Sequence, residues 1–222
     1  MLIVLMSRTP VPGYTKTRLQ THLSGEKCAQ LHEAFIKDMI FMLRGSGLET
    51  ALAFTPASGE RIMASITGKS LPLFPQQGEY LGERMQSCVQ WGCDKGFAKI
   101  GLIGTDMPDI QPSYLKKADE LLDRYDVVIG PTLDGGYCFI GMKRVIPEVF
   151  GNLSWGKGSV LEQTVAILEE LELSWTLLPK LRDIDVWEDL VDLRDSLANR
   201  ANFLEFYPIH TSEYLMSLKD LS

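Results

Sequence analysis

The chain has 222 residues, of which 45% are hydrophobic and 23% charged, and its formal net charge is −7 at pH 7. This is the composition of an ordinary water-soluble protein that is long enough to bury a full core. The excess of Asp and Glu argues against bulk nucleic-acid binding, although it allows a local basic pocket for a small phosphate compound. No apolar run reaches the roughly 18 residues of a membrane span. The first apolar run, residues 2–6, is too short for a signal peptide, so we expect a cytoplasmic protein.

Strand-like and helix-like patterns alternate along the chain, which predicts an α/β fold with a mainly parallel sheet. Only about six residues separate the runs at 126–130 and 137–141, too few for a crossover helix, so one of these two strands should run antiparallel. The predicted strands are residues 2–6, 49–55, 71–74, 99–104, 126–130, 137–141 and 174–178, and the predicted helices are residues 25–44, 59–66, 81–95, 112–124, 158–172 and 187–198.

The first loop, within MSRTPVPGYTKTRL at residues 6–19, gathers three cations directly after the first strand. Gly13 allows close approach of the backbone, and Lys16 and Arg18 suit a di- or triphosphate. The loop lacks the spacing of a Walker A motif, and the chain has no GxGxxG, which disfavours a nicotinamide-dependent dehydrogenase. The loop is therefore a candidate phosphate site, and the alternative is a basic surface cluster without a ligand.

Acidic residues follow two of the predicted strands. Asp106 comes after the strand at 99–104, and Asp183 and Asp185 in RDIDV come after the strand at 174–178. Ligands of open α/β sheets bind beyond the carboxyl ends of the strands, and residues i and i+2 of an extended segment point to the same side. Carboxylates that converge in this way suit Mg²⁺ or Mn²⁺, which in turn hold substrate phosphates. The alternative is that each Asp caps the following helix.

Two glycine-bearing segments follow. GPTLDGGYCFIG, residues 130–141, exposes backbone amides and the carboxylate of Asp134 between two strands, and it is equally compatible with a plain hairpin turn. SWGKGSVLEQT, residues 154–164, places Trp155 before a helix, either as part of an acceptor-site lid or as a simple helix start. The four cysteines form no CxxC pair and are expected to be buried, reduced thiols, and we expect the scattered histidines to be structural (Cys28, Cys88, Cys93, Cys138, His22, His32 and His210).

Six ordered motifs together resemble the bacterial glycosyltransferase-A-like family, to which nucleotide-diphospho-sugar transferase activity is provisionally assigned. The motifs are PVPGYTKTRL, GEYLGERM, GTDMPDI, GPTLDGGYCFIG, WGKGSVLEQT and DIDVWEDL, and they span about residues 1–195. That family is more distantly similar to molybdenum-cofactor and phospholactate guanylyltransferases. The resemblance implies a Rossmann-like α/β/α sandwich with a mixed, mostly parallel sheet.

The resemblance also implies roles for individual residues. The metal would lie at Asp106, where T-D-M replaces the family's D-x-D motif, and at Asp183 and Asp185. Arg8 stands where lysine is more usual in the family, which keeps the charge. The nucleotide would lie against Pro12, Gly13, Lys16 and Arg18, and the sugar or acceptor against Asp134, Gly135, Gly136, Tyr137 and Trp155.

Three functions remain open at this point. The first is a metal-dependent glycosyltransferase that uses a nucleotide-diphosphate sugar and a small-molecule acceptor, with Asp134 as the candidate base and Asp106 as the metal ligand. The second is a nucleotidyltransferase that releases pyrophosphate from a nucleoside triphosphate and a phosphorylated acceptor. The third is a nucleotide-binding module without turnover. We expect one domain at residues 1–199, with residues 200–222 as a tail that packs on the domain or forms a homodimer contact.

Overall fold

The computed structural model describes residues 1–68, 71–151, 153–156, 158–200 and 204–218. Seven strands form one sheet in the order β3-β2-β1-β4-β6-β5-β7. All strand pairs are parallel except those of β6, which runs antiparallel to both β4 and β5. The predicted α/β class and the reversal within the 126–141 region are therefore confirmed. The strands are β1 (Leu2–Arg8), β2 (Glu49–Thr55), β3 (Leu73–Pro75), β4 (Ile100–Ile103), β5 (Val127–Pro131), β6 (Tyr137–Met142) and β7 (Trp175–Leu177).

The helices agree with the predicted ones to within a few residues, and the structure adds a last helix that the sequence pattern did not indicate. Short 3₁₀ turns at Thr17–Thr21, Ala57–Gly59 and Pro147–Val149 were also not predicted. Within the described residues, no helix is long and apolar enough to cross a membrane. The helices are α1 (Gly25–Ser46), α2 (Glu60–Thr67), α3 (Leu81–Asp94), α4 (Pro112–Leu121), α5 (Val160–Glu170), α6 (Trp187–Arg200) and α7 (Ile209–Ser217).

The sheet is covered on both faces, because the side chains of a strand alternate between its two sides. In β1, Ile3 and Leu5 pack in one apolar cluster with residues of α1, α2 and α4. Leu2 and Val4 pack in a second cluster with residues of α3 and α5. A strand buried on both faces reads as a continuous apolar run, which is why LIVLM gives β1 no alternating pattern. The result is a three-layer α/β/α sandwich.

The last two helices extend one of the helical layers. Residues of α6 and α7 form a third apolar cluster with Leu31 and Phe35 of α1. The buried carboxylate of Asp38 accepts hydrogen bonds from the backbone N–H groups of His210 and Thr211 at 3.1 and 2.7 Å, and so holds the start of α7. In this chain α7 thus packs on α1. The division at residue 199 stays a prediction, and residues 201–203 and 219–222 of the predicted tail lie outside the described residues.

Candidate functional site

A cavity of about 670 Å³ lies where β1, β4 and β5 end. Its wall combines the first loop, the residues after β4, the β5–β6 hairpin and the segment before α6. This is the edge of the sheet at which open α/β folds bind ligands. The predicted site residues that line it are Lys16, Arg18, Asp106, Asp134, Gly136, Tyr137, Asp183 and Asp185.

The two acidic segments meet through backbone hydrogen bonds. The Leu181 N–H donates to the Pro131 carbonyl at 3.0 Å, which aligns residues 181–185 beside the end of β5. The Ile184 N–H donates to the Asp106 carbonyl at 2.9 Å, which joins the same segment to the residue after β4. Ile184 is buried, so its neighbours Asp183 and Asp185 both face the cavity, as the i, i+2 spacing predicts.

The cap of helix α6 comes from another aspartate. Asp189 accepts hydrogen bonds from the backbone N–H groups of Asp185 and Val186, both at 3.1 Å. Asp189 thus reaches back from the first turn of α6 to the backbone before the helix, as the acidic residue of a capping box does. The carboxylate of Asp185 faces Lys16 and Arg18 instead.

Lys16 lies at the centre of this arrangement, with a side chain that is only 4% exposed. Its Nζ donates to Asp106 Oδ1 at 2.7 Å and to the Ile184 carbonyl at 2.5 Å, and it lies 3.6 Å from Asp185 Oδ1. Loss of solvation raises the pKa of Asp106, but the charge and hydrogen bond of Lys16, with smaller contributions from His32 and Thr105, together hold that pKa below its usual value. Arg18 is 65% exposed and donates to Asp185 Oδ2 at 3.2 Å.

The carboxylates on the β5 side have a different environment. Asp134 Oδ1 accepts hydrogen bonds from the Thr132 hydroxyl at 2.5 Å and from the Gly136 N–H at 3.0 Å. Burial, followed by the negative charges of Asp134 and Asp185, raises the pKa of Asp183 to about 6. The ionised form of Asp183 is therefore disfavoured both by burial and by the carboxylates beside it.

The raised pKa of Asp183 makes stability depend on pH. The folded chain retains this proton up to about pH 6. The unfolded chain loses it near pH 4, so the contribution of Asp183 to stability is full below that pH and is lost as the pH rises through 6. With solvent screening we expect a loss on the order of 1–2 kcal/mol in the free energy of unfolding. Asp183→Asn should remove this loss and should therefore be more stable than wild type at pH 7. Urea unfolding of both proteins between pH 4 and 8, in the presence of EDTA, measures the difference in the free energy of unfolding.

Asp123→Asn is the control for the pH series. A hydrogen bond from Lys99 lowers the pKa of Asp123, so this substitution should change the pH dependence with the opposite sign. Parallel stability curves for wild type and Asp183→Asn would contradict the raised pKa.

Four predicted site residues do not line the cavity. The backbone at Pro12 and Gly13 packs against Gly25, where a Cβ would lie 2.8 Å from the Gly13 nitrogen. Gly135 has a φ of +87°. A Cβ placed on Gly135 would lie 2.1 Å from the carbonyl oxygen of Gly158. The Trp155 ring packs edge-on against Tyr137 at 6.2 Å between centroids, behind the cavity wall. Ligand contacts of these four residues stay predictions, and in this structure their roles are in loop packing.

The cavity also includes residues to which no ligand role was assigned. His32 is buried on α1; its Nε2–H donates to the Arg8 carbonyl at 3.0 Å, and burial lowers its pKa to about 4, so it is neutral. The Gln76 side-chain amide donates to the Ala53 carbonyl at 2.9 Å, and Arg84 donates to the Gly78 and Glu79 carbonyls at 3.0 Å each. The spacing of His32, Phe35 and Met39 along the sequence indicates one buried face of a helix. The sequence does not indicate that this face reaches the cavity.

Cys138 is another cavity residue, and its chemistry is limited. Its thiol donates to the Gly130 carbonyl at 3.3 Å, and burial raises its pKa to about 12. The thiolate is the nucleophilic form, so Cys138 is not a nucleophile at neutral pH. All four cysteines are free thiols.

The donor set fits a hard divalent cation by its chemistry. Carboxylate oxygens are the ligands that Mg²⁺ and Mn²⁺ prefer, and several of them line the cavity, at Asp106, Asp134, Asp183 and Asp185. Across the described part of the chain, however, no three His, Cys, Asp or Glu side chains are placed together as an ion-binding group. The Lys16 ammonium separates Asp106 from Asp185. A metal at these residues stays a prediction.

The chain is a transferase, as its relatives show, and the named relatives act on nucleotide-activated substrates. A provisionally assigned nucleotide-diphospho-sugar transferase from Desulfovibrio desulfuricans G20 has a TM-score of 0.90 at 31% identity, over 99% of this chain and 96% of that one. The 2-phospho-L-lactate guanylyltransferase of Methanocorpusculum labreanum is 26% identical over 185 residues, which are 82% of this chain and 78% of that protein. A cytidylyltransferase from Leptospira borgpetersenii shares the fold, with a TM-score of 0.58 at 16% identity over 97% of this chain and 93% of that one.

The chain belongs to the family described as "Uncharacterized protein conserved in bacteria (DUF2064)", whose model matches residues 40–157. The matched region runs from within α1 to the segment before α5. It contains Asp106 and the β5–β6 hairpin, whereas the basic loop and the Asp183–Asp185 segment lie outside it. The expected resemblance to nucleotide-diphospho-sugar transferases, with a distant similarity to a phospholactate guanylyltransferase, is thus confirmed.

Proposed function

We propose that the chain is a metal-dependent glycosyltransferase that transfers a sugar from a nucleotide-diphosphate sugar to a hydroxyl group of a small acceptor. The division of charge across the cavity carries this proposal. The described Lys and Arg side chains of the wall come from the end of β1, the first loop and the start of α3, namely Arg8, Lys16, Arg18 and Arg84. The opposite side presents Thr132, Asp134, Gly136, Tyr137, Cys138 and Asp183.

The acidic side favours an uncharged acceptor. A phosphorylated acceptor beside Asp134, which is not among the proposed metal ligands, would meet a like charge with no described Lys or Arg of the wall on that side. At about 4 Å and an effective dielectric constant of about 20, such a contact costs about 4 kcal/mol. A hydroxyl group, in contrast, donates a hydrogen bond to a carboxylate. The geometry thus supports glycosyl transfer over transfer to a phosphate.

The roles of the residues follow from their positions. The exposed Arg18 guanidinium and the amides of the first loop would bind the diphosphate, whose negative charge grows as the sugar leaves. Asp134, held by Thr132 and Gly136, would accept the proton of the acceptor hydroxyl. Asp106, Asp183 and Asp185 would hold Mg²⁺ or Mn²⁺, which supplies Lewis-acid stabilisation of the leaving diphosphate.

A second candidate function is nucleotidyl transfer, which the relationship to the guanylyltransferase favours. Sugar nucleotides with neutral acceptors, and nucleoside triphosphates with phosphorylated acceptors, should be assayed in parallel with Mg²⁺, Mn²⁺ or EDTA. Metal-dependent release of nucleoside diphosphate is the expected result. Release of pyrophosphate would establish nucleotidyl transfer, and nucleotide binding by calorimetry without any product would indicate a binding module.

A further inference from the structure

The Lys16 ammonium is surrounded by oxygen atoms of the protein. An ammonium group has three N–H donors, and Nζ has three oxygen neighbours: Asp106 Oδ1 at 2.7 Å, the Ile184 carbonyl at 2.5 Å and Asp185 Oδ1 at 3.6 Å. The Phe35 ring lies 5.1 Å from Nζ on another side. Two of its three N–H donors are thus used in hydrogen bonds, and the third faces the carboxylate of Asp185 rather than a free phosphate position.

The contacts of Lys16 join three separate parts of the chain. Its own loop follows β1, Asp106 follows β4, and Ile184 and Asp185 precede α6. The Lys16 side chain is buried, but those of Asp106 and Asp185 are 41% and 36% exposed, so loss of one partner destabilises the chain less than it would in a fully buried ion pair. The acidic segments are therefore held together by a positive charge that the chain itself supplies.

The four aspartates that line the cavity differ in how they are balanced. Lys16 contacts Asp106 and Asp185, and Arg18 contacts Asp185. Within the described residues, no Lys or Arg ion pair is found at Asp134 or Asp183. The place between Asp106 and Asp185 thus holds a cation already, and a divalent ion that uses these two carboxylates must compete with it.

We propose that Lys16 is an internal cation that occupies the metal position between Asp106 and Asp185, and that it moves to the phosphates of the nucleotide when a divalent ion takes this position. This inference rests on the metal site of the proposed function. Metal binding would release the Lys16 ammonium from its contacts with Asp106 and Asp185, and phosphate binding would keep Lys16 away from the carboxylates. By linkage, each ligand then strengthens the binding of the other by the same factor.

The proposal predicts that removal of the Lys16 charge improves metal binding in the absence of nucleotide. Lys16→Gln should bind Mn²⁺ about tenfold more tightly than wild type, a difference of about 1.4 kcal/mol. Without metal the variant should unfold at a lower temperature than wild type, and Mn²⁺ should restore much of that loss, because the ion replaces the missing ammonium. Free Mn²⁺ measured by electron paramagnetic resonance gives the affinity, and circular dichroism gives the unfolding temperature.

Arg18→Gln is the matched control. It removes a cation of the same loop that also contacts Asp185, but from an exposed position, so Mn²⁺ affinity should change less than about threefold. If Lys16→Gln does not fold even with Mn²⁺ present, Lys16→Met, which keeps the apolar stem that packs near Phe35, serves for the same titration.

The proposal would be overturned if Lys16→Gln, or Lys16→Met in its place, bound Mn²⁺ no more tightly than wild type does. It would also be overturned by an unfolding temperature that Mn²⁺ does not restore. These measurements contain no sugar nucleotide and no acceptor, so they fail independently of the transfer reaction. A metal-dependent transferase whose Lys16 variant shows no gain in Mn²⁺ affinity would retain the proposed function and lose only this inference.

Discussion

Replacement of Asp106 by asparagine is expected to lower the rate of transfer by about 100- to 1,000-fold while the chain stays folded. Asparagine keeps the size of the side chain, and the backbone carbonyl still accepts the hydrogen bond from the Ile184 N–H. The substitution removes the negative charge that lies 2.7 Å from Lys16 Nζ. It also removes a carboxylate from the site that the proposed function assigns to the metal.

The large expected effect follows from the position of Asp106. It is the first acidic residue after β4, a central strand of the sheet, and its pKa is held below the usual value, so it is ionised throughout the neutral range. Charges fixed before the reaction stabilise the transition state without reorganisation of solvent. Initial rates of nucleoside diphosphate release, measured with saturating donor and metal, give the change.

Asp94→Asn is the matched control for this substitution. Asp94 is exposed at the end of α3 and does not line the cavity, so the rate should stay within about twofold of wild type. A rate for Asp106→Asn that equals the wild-type rate would show that the acidic end of β4 takes no part in transfer. If the circular dichroism signal of Asp106→Asn fell together with its rate, the lower rate would instead indicate misfolding. The unfolding midpoint of the variant distinguishes misfolding from a loss of catalysis in a folded chain.

Gly82→Ala is expected to destabilise the chain by about 1–3 kcal/mol, although alanine is the better helix former. A Cβ on Gly82 would lie 1.9 Å from the Phe150 carbonyl oxygen and 3.0 Å from the Trp155 Nε1. A backbone oxygen cannot rotate away as a flexible side chain can. The first turns of α3 must therefore move, together with the cavity residues Tyr80 and Arg84.

Gly45→Ala provides the opposite case within the same chain. Gly45 is also helical, in the last turns of α1, but nothing lies within 4 Å of its ideal Cβ. Here alanine should be neutral or stabilising by up to about 1 kcal/mol. Urea unfolding of both variants measures the contrast, and weaker nucleotide binding by Gly82→Ala should accompany its loss of stability. Equal stability of the two variants would show that α3 does not pack on Phe150 at this point.

The sequence alone predicted the class of fold because its signals are local. Apolar runs such as residues 2–6 and 99–104 identify buried strands, and helical spacing identifies the helices between them. The short interval between β5 and β6 required a reversal of direction, and β6 is antiparallel. The last helix was not predicted, because much of its stability comes from packing on α1 and from the buried Asp38, neither of which is visible in its own residues.

The acidic residues at the strand ends illustrate a second kind of local signal. The position of Asp106 after an apolar strand and the i, i+2 spacing of Asp183 and Asp185 placed them on one edge of the sheet, and the structure brings all three to the cavity. His32 shows where this reasoning stops. The pattern of α1 predicts a buried side chain at this position, but only the packing of α1 against the end of β1 brings its imidazole to the Arg8 carbonyl.

The sequence by itself thus determined the layered α/β fold and the presence of a basic loop and acidic strand ends, because these depend on residue type and local spacing. The tertiary structure decided how the charges are paired. Lys16 and Asp106 are 90 positions apart along the chain, and only the order of the strands places β1 beside β4, so that the loop after one meets the aspartate after the other. Charge pairing depends on distance in space, which the order of residues along the chain does not reveal.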